Sequence, residues 1–282
     1  MILVTGATGT IGSSTVKALK AKSAKFKVGV RSPEKAKGLG VETVLFDWDK
    51  PETFGPALQG VQKVFLLTPT SDKQDQYAKS LVDAAKKAGV KHIVKLSVIG
   101  VDAEPNIFFG RQHQAAEKAM KDSGIAWTML RPTFFTENFV NFYGVDPKKD
   151  STVYLPHGNA KVVWVDPRDV GEVAAAVLTT PGHEGKAYDL TGPEALGDAE
   201  VLDIFSQAFG HKYNYVDVPE AAASKGMTDM GMPKWMVDGM MELNYIIKQG
   251  WSATPANGVK EVLGRPARTV KDFATDFAAG KR

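Results

Sequence analysis

Eight residues near the start of the chain have the types and spacing that chemistry requires. In Thr5-Gly6-Ala7-Thr8-Gly9-Thr10-Ile11-Gly12, glycine recurs at every third position, directly after the apolar run Ile2 to Thr5 and ahead of an amphipathic stretch reaching about Lys22. Gly6 permits a tight turn, Gly9 lets backbone N–H groups approach a pyrophosphate, and Gly12 lets the following helix pack against the strand. Thr8, Thr10 and Ile11 fill the rest of a loop that delivers an anion to a helix N-terminus, where unpaired N–H groups and the helix dipole favour negative charge. The pattern therefore predicts a dinucleotide phosphate cradle. About 20 residues further on, a binder of the ribose 2′-hydroxyl carries an acid at the end of its second strand. This chain has Val30-Arg31-Ser32-Pro33-Glu34-Lys35 there. Arg31 offers a planar fork to a 2′-phosphate, with Ser32 and Lys35 as further donors, so the expected cofactor is NADP (NADPH). The plainer alternative makes Arg31 a solvated loop charge, or a stacking partner for adenine with NAD bound.

The elements that must position this loop follow from periodicity. Short β-branched runs at Ile2 to Thr5, Phe26 to Val30, Val41 to Phe46, Val61 to Leu67, His92 to Ser97 and Trp127 to Leu130 have the length of strands buried on both faces. Helical patterns lie between them, as in Asp75 to Ala88, where Tyr77, Leu81, Ala84, Ala85 and Ala88 follow a 3.6 period and Gly89 marks the stop. Such alternation predicts right-handed βαβ units and an α/β fold, a Rossmann-type doubly wound parallel sheet with a smaller, mainly helical C-terminal lobe. In such a sheet the ligand lies beyond the carboxyl ends of the strands, so Thr68, Pro69, Ser97 and Val98 are expected along the ribose and nicotinamide. The expected division is a dinucleotide-binding core over residues 1–131 and a substrate-facing lobe over 132–282. That boundary is porous, because Val162 to Val165, Val170 to Leu178 and Ala187 to Leu190 still read as strand, helix and strand. From Asp198 onward helical patterns dominate, with a methionine cluster from Met227 to Met241 beside Trp235.

Composition removes other classes of function. The chain has 282 residues, 43% hydrophobic and 24% charged, which describes an ordinary globular protein. It has no cysteine, hence no disulfide framework, thiol nucleophile or Cys-ligated metal, and no two histidines sit at metal spacing, so no metal is expected. The net charge of +3 comes from 35 basic and 32 acidic residues scattered without a basic stripe, so no nucleic-acid partner is expected. No basic-then-apolar leader and no long apolar run point to a membrane, and a cytoplasmic protein is expected. The oligomeric state is not readable.

Thr-Gly-Ala-Thr-Gly-x-Ile-Gly resembles the opening of extended and atypical short-chain dehydrogenase/reductases, above all the NmrA-like group, which includes triphenylmethane-type reductases, isoflavone-reductase relatives and non-catalytic redox-sensing regulators. Ala88-Gly89-Val90-Lys91-His92-Ile93-Val94 resembles that group's entry to the fifth strand, Leu130-Arg131-Pro132 with Glu137-Asn138 its substrate loop, and Leu263 to Thr269 with Asp272-Phe273 its C-terminal segment. The resemblance implies that Asp47, next to Trp48, holds the adenine amino group; the alternative is that Asp47 caps the helix beginning near Pro51. It also brings an absence into view. Ordinary members place tyrosine and lysine four residues apart on one helix face, so that the ammonium lowers the phenol pKa. Here the seven tyrosines are followed four residues later by Leu81, Pro147, Gly158, Gly192, Asp217, Pro219 and Gln249. By resemblance His113 falls near the position where isoflavone-reductase relatives carry a supporting lysine, and it is the candidate catalytic residue and ribose contact; the plainer reading pairs it with Glu117 at i, i+4. Phe134, Phe135, Asn138 and Phe139, with Trp235 and Met236, are candidate walls for an apolar substrate, although such clusters also form cores. The expected function is hydride transfer from NADPH to a small conjugated acceptor such as an iminium, quinone, azo or triphenylmethane dye, or enone. A non-catalytic dinucleotide-sensing regulator is the alternative, with nucleotide-sugar epimerisation a more distant one.

Overall fold

Short runs of apolar and β-branched residues alternate with amphipathic stretches, and each becomes the element its period dictates. The computed structural model describes residues 1–103 and 106–281, with the backbone alone for Pro33, Lys35 and Lys37. In chain order the elements are β1 (Ile2–Val4), α1 (Thr10–Ala21), β2 (Phe26–Val30), β3 (Glu42–Leu45), α2 (Phe54–Leu58), β4 (Lys63–Leu66), α3 (Gln74–Lys87), β5 (His92–Leu96), α4 (Phe108–Ser123), β6 (Ala126–Pro132), α5 (Asn138–Asn141), β7 (Ser151–Leu155), β8 (Lys161–Val163), α6 (Pro167–Thr179), β9 (Lys186–Leu190), β10 (Ala195–Gly197), α7 (Asp198–Phe209), β11 (Tyr213–Asp217), α8 (Glu220–Asp229), α9 (Lys234–Lys248), α10 (Gly258–Leu263) and α11 (Val270–Ala278).

The chain divides into two compact units. The first comprises Met1–Pro132, Pro167–Asp189 and Glu261–Gly264, so the chain returns to it after leaving at Pro132, close to the expected boundary at 131/132. Its sheet has the order β3-β2-β1-β4-β5-β6-β9. The first six strands are parallel, with Ile2 opposite both Phe26 and Lys63, and His92 opposite Ala126. The chain winds outward from β1 to β3, then returns to begin again at β4, which puts the switch point between the carboxyl ends of β1 and β4. One side chain ties those ends together. The buried Thr5 hydroxyl lies 3.0 and 3.1 Å from the carbonyl oxygens of Phe65 and Leu67 and accepts the Leu67 N–H at 2.8 Å. On one side of the sheet Leu3, Phe46, Phe54, Val64, Leu81, Ile93 and Met120 form a core. Elsewhere in this unit α6 packs closely on α1, because a Cβ at Gly171 would lie 2.6 Å from the Ser14 backbone. No helix among the described residues is long and apolar enough to cross a membrane.

The second unit comprises Thr133–Asp166, Leu190–Lys260 and Arg265–Arg282. Its core gathers Phe139, Trp164, Phe205, Tyr213, Ile247 and Phe273. Buried His157 is held between Asp198 at 2.8 Å and Asn244 at 3.0 Å, which fastens the β7–β8 turn to α7 and α9. Two small sheets, a parallel pair of β7 with β11 and an antiparallel pair of β8 with β10, give this unit more strand than the helical pattern after Asp198 suggests. β8 falls on the strand expected at Val162 to Val165, whereas β7, β10 and β11 carry no clear signal, because they are short and alternate with exposed polar residues, as in Tyr213-Asn214-Tyr215-Val216-Asp217, without the continuous apolar run of a central strand.

Candidate active site

The glycine loop crosses from β1 to α1 as its spacing requires. Gly6 has φ +63°, and a Cβ there would lie 2.5 Å from the Leu67 side chain. A Cβ at Gly12 would lie 2.0 Å from the Gly6 carbonyl oxygen, a backbone atom that cannot give way. Gly9 is different. It is exposed, and a Cβ would make only an ordinary 3.5 Å contact with Gly6 O, so the protein's own packing leaves room there that a side chain would fill. Gly9 is also the N-cap of α1, which has no side-chain cap and no acidic residue in its first turn. An open cradle with an uncapped, uncharged helix start fits a pyrophosphate. Ile11 buries its side chain, so only its backbone is left for that ligand, whereas Thr8 is exposed and Thr10 half-buried.

At the end of β2, Arg31 is exposed and, among the described residues, has no ion-pair partner, with half-buried Ser32 beside it. The Lys35 side chain lies outside the described residues. Asp47 does not cap the helical turn at Pro51, whose N-cap is Lys50; its carboxylate instead accepts the Asp49 N–H at 3.2 Å in a tight local turn. Trp48 packs edge-on against Phe46 at 4.9 Å and also meets Phe54 and Tyr77. Thr68 and Val98 are half-buried and Pro69 is exposed, just past β4 and β5.

Between the carboxyl ends of β5 and β6 and the helices α3 and α4 lies a polar network. Glu117, 2% exposed, accepts the Ser97 hydroxyl at 2.7 Å and two arms of Arg131 at 3.0 and 2.6 Å, and Arg131 also reaches Asp102 at 3.0 Å. The Glu117 bond holds the Arg131 guanidinium above its usual range. The alternative reading, a His113–Glu117 pair, does not form, because this arginine and serine claim the carboxylate. Ser97, expected as a cofactor contact, likewise gives its hydroxyl proton to Glu117.

His113 turns instead to Lys95, a residue of the neighbouring strand β5. Its Nδ1 lies 2.8 Å from Nζ of Lys95, which also donates to Leu96 O at 2.7 Å, and its Nε2 lies 2.8 Å from the Gln74 side-chain amide. Lys95 is fully buried inside β5. Burial pushes its ammonium down to about 7, with Glu117 pulling the other way. Burial, and then the nearby Lys95 charge, hold His113 well below the usual imidazole value. Next to it, buried Gln112 donates to Ser71 O at 3.0 Å and leaves its own side-chain oxygen unpartnered. A buried acceptor at the foot of the β4–α3 loop fits a hydroxyl or amide donor of a bound ligand. A charged residue inside an otherwise apolar run, the Lys95 of His92-Ile93-Val94-Lys95-Leu96, is the signal that could have found this site.

In the second unit Phe139 is 0% exposed, 4.8 Å from Trp164 and 5.7 Å from Phe205. Its expected role as a substrate wall gives way to core packing. Phe134, Phe135, Asn138, Trp235 and Met236 are all half-buried.

The sequence profile of the NmrA-like family matches residues 1–253. The chain belongs to the NmrA-like family. It is 42% identical to an NAD(P)H azoreductase of Xenophilus azovorans, over 99% of this chain and 98% of that protein. The structure is similar to an NADPH-dependent quinone oxidoreductase of Escherichia coli crystallised with NADPH, with TM-score 0.85 and 26% identity over 98% of this chain and 99% of that one. It is similar also to the triphenylmethane reductase of Citrobacter sp. complexed with NADP(H), with TM-score 0.82 and 25% identity over 98% and 99% of the two chains.

Proposed function

We propose that this protein is a reductase that transfers hydride from NADPH to a small conjugated acceptor, of the quinone, azo, iminium, enone or cationic dye type. The observation that carries the reading is the open Gly9 position at an uncapped helix start, in a chain whose relatives include an NAD(P)H azoreductase and an NADPH-dependent quinone oxidoreductase. Gly6, Gly9, Gly12 and the first turn of α1 would hold the pyrophosphate, Arg31 and Ser32 the 2′-phosphate, Asp47 and Trp48 the adenine end, and Thr68, Pro69, Val98, Gln112 and His113 the ribose and nicotinamide. When bound, the reduced nicotinamide supplies the hydride. The chain's own residues bind, orient and exclude water, which is where most of the rate gain for an activated acceptor arises. Phe134, Phe135, Asn138, Trp235 and Met236 would line the acceptor, and the site is read as cytoplasmic. His113 would be the proton-bearing group at the ribose and nicotinamide end. Because the tyrosine–lysine pair is lacking, acceptors that need little general-acid help at the moment of hydride arrival suit the site best.

The test is consumption of NADPH against a panel of quinones, azo dyes, cationic triphenylmethane dyes and simple ketones. Turnover with the conjugated acceptors and none with the ketones is expected. Tight NADPH binding with no turnover on any of them would replace the reductase with a dinucleotide sensor.

A further inference from the structure

A lysine enclosed in a central parallel strand needs a reason, because packing alone prefers an apolar residue at that position. Lys95 has no carboxylate in direct contact among the described residues; its two partners are the Leu96 carbonyl and Nδ1 of His113. That pair of partners suits an ammonium and a neutral amine about equally, which an ion pair would not. The chain of contacts from Lys95 through His113 to Gln74 therefore has two consistent proton arrangements. In one, charged Lys95 donates to Nδ1, the ring proton sits on Nε2, and the Gln74 amide presents its oxygen. In the other, Lys95 is neutral and accepts from Nδ1–H, Nε2 is bare, and the Gln74 amide presents its N–H. The heavy atoms are the same in both, since an amide and its rotated form occupy the same positions. Gln74, the first residue of α3, approaches from the loop that leaves β4, at the carboxyl end of the sheet.

We infer that Lys95 is the buried proton store of the site and His113 its outlet, so that an acceptor replacing Gln74 at Nε2 receives a proton that Lys95 makes good through the ring. The inference rests on the reductase reading for its substrate. For a quinone the balance is one hydride from the reduced dinucleotide and one proton from His113. The Nε2–H bond breaks as the acceptor O–H bond forms, a Lys95 N–H bond breaks as Nδ1–H forms, and hydroquinone leaves with Lys95 neutral and His113 in its other neutral tautomer. Solvent then recharges the pair. The charged group acting on Lys95 is Glu117 from α4, itself paired with Arg131 from β6, around which Asp102 from the β5–α4 loop and Asp189 from β9 also gather; Glu117 favours the charged lysine, and burial opposes it more strongly. Burial, which pushes Lys95 down to about 7, places the exchange where both states are populated near neutral pH. Lys95 acts through His113 and is a positioning residue, not one that touches substrate.

Two readouts test this. Nitrogen NMR of His113 in the protein without substrate is expected to show the Nε2–H tautomer at low pH giving way to Nδ1–H as pH rises through about 7, and Lys95→Met is expected to abolish that inflection. In turnover with NADPH, kcat/KM for a neutral quinone is expected to fall as pH rises through the same range. Lys95→Met should lower it by about 10²-fold, within the general-acid range, flatten the profile, and affect a cationic dye distinctly less. Lys95→Gln serves equally should the methionine variant not fold. A single His113 tautomer across the range in the unsubstituted protein overturns the inference, as does an equal loss for both acceptors with the pH profile unmoved. If no acceptor is reduced at all, the reductase reading fails, and the NMR result still decides the proton store by itself.

Discussion

Replacing Arg131 with methionine removes the group that holds Glu117, and the structure says what that costs. Glu117 is buried with three charge-assisted bonds, from the Ser97 hydroxyl at 2.7 Å and from Arg131 Nε and Nη2 at 3.0 and 2.6 Å. Hydrogen bonds to charged groups contribute about 1.5–3 kcal/mol each, and breaking a buried pair by deleting one partner costs about 3–5 kcal/mol because the other charge is left uncompensated. Lys121 is 3.7 Å away and half-exposed, so it recovers little of that. Arg131→Met is therefore expected to destabilise by about 3–4 kcal/mol, at the low end because Arg131 is itself 15% exposed. Glu117→Gln, which still accepts from Ser97, should cost less, and the double variant should cost clearly less than the sum. Denaturant unfolding followed by circular dichroism gives all three values. A loss below about 1 kcal/mol for Arg131→Met, or single losses that add to within about 0.5 kcal/mol, would refute the view that this pair anchors α4 against β6.

The other predictions concern the cofactor loop and one buried histidine. Arg31→Ala should weaken NADPH binding by about 1.5–3 kcal/mol and leave NADH nearly unchanged, as calorimetry of both nucleotides would show. Gly9→Val should keep the fold and lose nucleotide binding, whereas Gly12→Ala should also lose thermal stability, since its Cβ would meet backbone at 2.0 Å; circular dichroism and titration on the same samples separate the two. His92 is buried with Nε2 on the Thr128 hydroxyl and Nδ1 unpartnered, and burial first, then Lys63, lowers it to about 4. A histidine lowered in the fold binds its proton more readily when unfolded, so its contribution is complete above about 6.5 and is lost as pH falls from there to about 4, for a total of about 3 kcal/mol. His92→Gln should flatten the stability curve over that window.

The parts of this fold that the sequence makes plain are those where one physical constraint dominates. A strand buried on both faces needs a continuous apolar run, and Phe26–Val30 is found at the limits its residues imply, while the helix expected over Asp75 to Ala88 runs over Gln74–Lys87, shifted by one residue at each end. The glycine loop is legible because steric demands at Gly6 and Gly12 leave no other residue type room. Of the small strands of the second unit only β8 stands out, as the apolar run at Val162 to Val165; the others do not, because short half-exposed strands carry a weak alternation that turns and helices share. In the site, His113 stands out by type, but its partner does not follow from helix spacing. The i, i+4 neighbour Glu117 is taken by Arg131, from a strand 14 residues on, and the partner of Nδ1 is Lys95, from a strand 18 residues back. Contacts across the sheet's edge are set by topology, and a linear pattern records them only as an anomaly, a lysine where an apolar residue belongs.

The most direct test of the central claim follows the hydride itself. With NADPH deuterated at the transferable position of the nicotinamide, mass spectrometry of the product from a cationic triphenylmethane dye should find one deuterium on the central carbon, placed there in step with cofactor oxidation. Reduced product that carries no deuterium, or a protein that binds NADPH and leaves every acceptor untouched, would contradict hydride transfer at this site.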